Sequence, residues 1–167
     1  RSLSLTDVLI AAGEVDAAED MCAAGLALSR DTGSLDDLAG ILNLMTVLDL
    51  AAGRIEDAAA HLREALQVAF RTGDSNEVIN SLDGCGLLCA ATGRPAEAVT
   101  VWAAHTALLR HQDSDWPLDV RRREGPLRQA RQALRPDQTR AAEERGTAMS
   151  METAAEYALL LTDPGPP

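Results

Sequence analysis

Lysine does not occur in this chain; all 15 basic residues are arginine. A phosphate-binding loop needs a lysine and a Schiff-base mechanism needs its amine, so neither chemistry belongs here. Aromatic residues are nearly missing as well: two Trp, one Tyr and one Phe among 167 residues. β-branched residues are also few, and sheets draw on both types, so an all-α fold is expected. No apolar run approaches the roughly 18 residues needed to span a bilayer, and no membrane partner is expected. Three cysteines, an odd number at uneven spacing, make no disulfide framework, and with no signal peptide at the start they suit a reducing cytoplasm.

What the chain does have is aliphatic, with 30 alanines and 24 leucines to build a core. Its formal charge is −11, which argues against direct nucleic-acid binding, because neutralising phosphates takes clustered positive charge. The charge is uneven. Residues 1–117 hold 18 acids and 7 arginines, net −11, whereas residues 118–167 hold 8 of each. Two segments of different character are expected.

A forty-residue repeat organises the first of them. Gly13, Gly53 and Gly93 sit in Ala-Ala-Gly-Glu-Val-Asp-Ala-Ala, Ala-Ala-Gly-Arg-Ile-Glu-Asp-Ala and Ala-Thr-Gly-Arg-Pro-Ala-Glu-Ala, with Thr32-Gly33 and Thr72-Gly73 halfway between. A glycine every twenty residues punctuates helical hairpins, each one ending a helix in the left-handed conformation. Between them the apolar period is helical: Ala18, Cys22, Gly25 and Ser29 align with Ala58, Leu62, Ala65 and Ala69, then with Ala98, Trp102, His105 and Leu109. In the preceding helices Leu42 matches Leu82, Leu5 matches Met45 and Cys85, and Val8 matches Leu48 and Leu88. Ser34 with Asp37 predicts one helix start near Leu35, and Pro95 another. The expected architecture is a right-handed stack of three hairpins, at 1–33, 34–73 and 74–112. The register puts the first hairpin's start before Arg1, so the chain is read as a segment of a longer protein.

A helical closing segment is expected over 113–161, followed by a Pro/Gly-rich tail at 162–167. Asp113-Ser-Asp-Trp-Pro117 reads as a turn, and Gly125-Pro126 is expected to break any helix running from Leu118. Helices are expected from Leu127 to Leu134, from Asp137 to about Arg145 with Gly146 as its stop, and from Met151 to Leu161 under a Ser150 cap.

These hairpins resemble the tetratricopeptide-like arrays of large bacterial LuxR-type and MalT-like regulators. The ending, Leu127-Arg-Gln-Ala-Arg-Gln-Ala-Leu134 and then Arg145-Gly-Thr-Ala-Met-Ser-Met-Glu-Thr-Ala-Ala-Glu-Tyr-Ala-Leu159, is similar to the segment that closes such arrays. The resemblance covers roughly residues 11–160, and it implies a parent protein with ATPase or adenylate cyclase activity elsewhere and a role in transcription or signalling.

Individual residues point away from chemistry. Cys85 falls on a core position, so it and Cys89 read as packing rather than as metal ligands. His105 reads as a packed imidazole, and His61 as a surface residue beside Asp57 and Glu64. Arg121, Arg122 and Arg123 read as a solvated face paired with Asp119, Glu124 or the acidic repeats. Trp102 is expected to fill the junction with the closing segment. Trp116 is either a packed cap or an aromatic anchor for a partner. The concave side of such an array is lined by the first helix of each hairpin, and the candidate binding positions there are Asp36, Asn43, Asn76, Glu77, Asn80 and Asp83.

The function expected is a non-catalytic protein-interaction and signal-relay module whose partner is a protein, a peptide or a neighbouring domain of the parent. A homodimerisation element is the alternative, and a small all-α hydrolase or metal enzyme a remote third. No catalytic residue, metal or cofactor is assigned.

Overall fold

The computed structural model describes residues 14–112 and 121–163, and every regular element among them is an α-helix. In chain order these are α1 (Val15–Thr32), α2 (Leu38–Ala51), α3 (Ile55–Thr72), α4 (Ser75–Ala91), α5 (Pro95–His111), α6 (Arg121–Gln132), α7 (Pro136–Thr147) and α8 (Met151–Leu161). The expectations for Leu5, Val8, Gly13, the 113–117 turn with Trp116, and the tail from 164 lie outside the described residues.

The forty-residue period is present in the helix ends. Helices α1, α3 and α5 begin at Val15, Ile55 and Pro95, and α2 and α4 end at Ala51 and Ala91. Gly33, Gly53, Gly73 and Gly93 adopt φ of 68°, 78°, 68° and 72°. At each of the last three, the next N–H reaches back past the glycine to a helix carbonyl: Arg54 to Asp49 at 2.8 Å, Asp74 to Ala69 at 2.9 Å, and Arg94 to Cys89 at 2.9 Å. The threonine before Gly33, Gly73 and Gly93 closes a further carbonyl, Thr32 donating to Leu28 at 2.8 Å, Thr72 to Val68 at 2.9 Å and Thr92 to Leu88 at 2.8 Å.

The chain divides into two compact units, residues 1–77 and 78–167, with the division inside α4. In the first, α2 packs against both α1 and α3. A Cβ on Gly25 would stand 2.9 Å from Ile41 Cδ1, which shows how closely α1 and α2 approach. Helix α3 is one-sided: Ala58, Leu62, Ala65 and Ala69 are buried, while Gln67 and Phe70 are exposed.

In the second unit α5 is the axis. Val99, Thr100, Val101, Trp102, Ala104, His105 and Leu108 are buried around its circumference, because α6, α7 and α8 all pack against it. A Cβ on Gly146 of α7 would lie 2.9 Å from Ala103 Cβ and closer still to the Thr100 carbonyl. The Thr100 hydroxyl donates to the Ala142 carbonyl at 3.1 Å across the same crossing. Arg94 reaches from the start of α5 to the Leu161 carbonyl at 2.8 Å, securing the end of α8.

Three expectations need correction. Helix α2 begins at Leu38 rather than near Leu35, with Asp37 at its cap position, because the Ser34 hydroxyl accepts the Asp36 N–H at 3.4 Å and closes a turn instead. Gly125-Pro126 does not break α6, which runs through it from Arg121 to Gln132. Gly146 does not end a helix; it lies inside α7, buried at the α5 crossing where no larger residue fits. By contrast Ser150 caps α8 as expected, accepting the Thr153 N–H at 3.1 Å.

Candidate functional site

The six candidate wall positions divide into two groups. Asp36, Asn76 and Asn80 are exposed. Asn43 on α2 donates to the Glu77 carboxylate at 2.9 Å and its carbonyl at 3.3 Å, tying α2 to the first turn of α4. Asp83 accepts the Trp102 indole N–H at 3.0 Å.

That last bond belongs to a polar cluster buried in the second unit. Trp102 is 2% exposed and lies over Gly86 of α4, with no room between them for a side chain at 86. The Arg123 guanidinium, on α6, donates to His105 Nδ1 at 3.0 Å and Thr106 Oγ1 at 3.1 Å, and stands 4.0 Å from Asp83. Burial pushes His105 down to about 4; Asp83 opposes the shift and Arg123 adds to it. The imidazole is therefore neutral at pH 7, with Nδ1 accepting from arginine. Burial also lowers the Arg123 pKa, with Asp83 opposing.

Arg123 was expected on a solvated face, and it is buried instead; the side chains of Arg121 and Arg122 are outside the description. The signal for it was present in the spacing: Arg123, Leu127 and Ala130 form one helical stripe, legible once α6 is allowed to run through Pro126. Trp102 meets its expectation, sitting between α4 and the closing helices.

Beside this cluster a groove of about 200 Å³ opens between α5, α6 and α7. Its wall carries Trp102, Arg110, Arg123, Leu127, Arg131 and Glu143, and His105 is not part of it. Glu143 Oε1 holds Arg131 at 2.9 and 3.2 Å.

The first unit has its own polar chain. The buried Asp49 accepts from Arg54 Nε at 2.9 Å and faces His61 Nδ1 at 2.6 Å, while Arg54 also reaches Glu19 at 2.7 Å. The two carboxylates raise the Arg54 pKa. His61 is thus not surface company for Asp57 and Glu64; it ties α3 to the end of α2. Cys85 and Cys89 are buried one turn apart on α4, and the neighbouring thiol together with burial raises Cys85 well above the usual thiol range. No cluster of three or more His, Cys, Asp or Glu able to hold a metal occurs among the described residues, and no described helix is long and apolar enough to cross a membrane.

No family model matches the chain, and no solved structure matches it. It is similar to formamidopyrimidine-DNA glycosylases of Yersinia pseudotuberculosis serotype O:1b and Yersinia pestis bv. Antiqua, 28% identical over 104 residues in each case. That stretch is 62% of this chain and 39% of those proteins.

Proposed function

We propose that this chain is a non-catalytic interaction and relay module, built from stacked tetratricopeptide-like helical hairpins, of the kind carried by the LuxR-type and MalT-like regulators it resembles. The observation that carries the reading is the left-handed glycine every twenty residues, each reversing the chain between helices of similar length. A chain folded back at equal intervals buries its apolar faces by stacking hairpin on hairpin. The Asn43–Glu77 bond ties the first turn of α4 to α2, and Asp36, Asn76 and Asn80 are the exposed positions of the proposed polar wall. A partner protein, a peptide or a neighbouring domain of the parent docks on that wall and biases a switch by its differential affinity for two states. Helices α6–α8 close the array over α5. A DNA-directed reading taken from the glycosylases' name has the net charge of −11 against it.

Capture from lysate by the immobilised chain tests this. A retained protein should be lost with the triple variant Asp36→Arg/Asn76→Arg/Asn80→Arg and kept with Leu28→Ala/Phe70→Ala. Equal retention by the triple variant, or no retained protein at all, refutes the wall. Self-association is the second reading, supported by the exposure of Leu28 (64%) and Phe70 (52%). A light-scattering mass that stays monomeric across a concentration series removes it.

A further inference from the structure

We propose that the groove between α5, α6 and α7 binds a small organic carboxylate, with its anionic end on Arg123 and Arg110 and its apolar end against Trp102 and Leu127.

The charge balance points to an anion. Among the described residues, three arginines and a single carboxylate, Glu143, line this groove, in a chain that otherwise carries an excess of acids. Glu143 is committed to Arg131. Arg123 is only 6% exposed. Among the described residues its hydrogen bonds go to neutral acceptors, His105 and Thr106, and its nearest carboxylate stands 4.0 Å away and already accepts from Trp102. A buried guanidinium costs several kcal/mol unless an anion completes its coordination, and its planar fork suits a carboxylate.

The rest of the wall selects the class of anion. Val99, Trp102, Ala103, Ala107 and Leu127 are apolar. Inorganic phosphate would leave them wet, whereas a short aliphatic or aromatic tail covers them. The volume of about 200 Å³ admits only a small molecule. The position is also suited to relay. A ligand there bridges α5 to α6 and α7, so binding ties the closing segment to the last hairpin. This goes beyond the wall reading and stands or falls separately from it.

The test uses the full chain carrying Trp116→Phe, so that Trp102 is the only tryptophan. It is titrated with 3-methylbutanoate and, in parallel, with inorganic phosphate at matched ionic strength. A saturable change in Trp102 emission, and a saturable shift of its indole N–H resonance, are expected with 3-methylbutanoate and not with phosphate. Arg110→Gln, an exposed position that leaves the helical circular dichroism unchanged, should weaken binding roughly five- to tenfold. Phosphate binding as tightly as the carboxylate would overturn the assignment of class. No saturable change in either signal, or undiminished affinity in Arg110→Gln, would overturn the site.

Discussion

Gly86→Ala sets two physical effects against each other. Position 86 lies inside α4, where alanine is the better helix former by about 1 kcal/mol, so propensity alone predicts a more stable protein. Packing predicts the opposite. The new Cβ would stand 2.7 Å from Trp102 Cδ2 and closer still to Cε2 and Nε1. The ring is 2% exposed and its N–H is held by Asp83 at 3.0 Å, so it cannot move aside without losing that bond. Overpacking costs about 2 kcal/mol, and the bond to a charged acceptor about 2 kcal/mol more. The balance is a loss of about 3 kcal/mol, or a fall in melting temperature of roughly 6–12 °C for a chain of this size.

The repeat itself supplies the compensating variant. Forty residues earlier the equivalent pair is Thr46 and Leu62, both 0% exposed. A larger residue on the first helix is matched there by a smaller one on the second. Gly86→Thr should clash with the indole, and Trp102→Leu should leave a void above Gly86. The double variant restores the earlier hairpin's pairing. In urea denaturation followed by circular dichroism, it should be more stable than the sum of the single changes predicts, by at least about 1 kcal/mol. Additivity within about 0.5 kcal/mol, or a Gly86→Ala protein as stable as the parent, would refute the account of this contact.

The same denaturation assay checks three further expectations. His105 is neutral in the folded chain and titrates near 4, against about 6.5 when unfolded. Below pH 6.5 the unfolded state takes up a proton that the folded state refuses, so stability falls from pH 6.5 towards pH 4 by up to about 3 kcal/mol. His105→Gln, which retains an acceptor for Arg123, should flatten the curve over that window; an unchanged slope would contradict the burial assigned to the imidazole. Two glycines with open space around them should respond in opposite directions. Gly93→Ala, at φ 72°, should cost about 1–2 kcal/mol, whereas Gly125→Ala in α6 should gain up to about 1 kcal/mol. Ser150→Ala removes the bond to the Thr153 N–H and should cost about 1 kcal/mol, seen also as faster amide exchange in the first turn of α8.

Local chemistry made much of the fold legible in the sequence. The glycine recurrence announces the helix ends at Thr32, Ala51, Thr72 and Ala91, Ser150 announces α8, and the apolar spacing announces the buried faces of α1, α3 and α5. Each of these rests on residues within a few positions of one another, or on an exact recurrence. The polar clusters were not legible, because their partners are far apart in the chain: Asp83 and Arg123 are separated by forty residues, and Asp49 meets His61 across a hairpin turn. Asn43 and Asp83 occupy equivalent repeat positions and take unrelated partners, Glu77 in one case and Trp102 with Arg123 in the other. Register assigns a residue to a face; it does not say what the neighbouring element brings there.

Pro126 shows how one local rule concealed the site. A proline in a helix interior costs about 3 kcal/mol through a lost hydrogen bond and a clash with the carbonyl four residues back. Applied to Gly125-Pro126, the rule ends any helix from Leu118 and so separates Arg123 from Leu127 and Ala130 on the stripe they share. Helix α6 nevertheless continues, because it is anchored on both sides of the proline. Arg123 is bonded to His105 and Thr106 before it, and Ala130 is buried and Arg131 paired with Glu143 after it. The packing of α6 against α5, with Ala130 buried and Arg131 paired beyond the proline, holds the helix against that cost. Arg123, read as part of a solvated face, is thus a buried positive charge beside the groove, and the helix that runs on through the proline is what puts it in one stripe with Leu127 and Ala130.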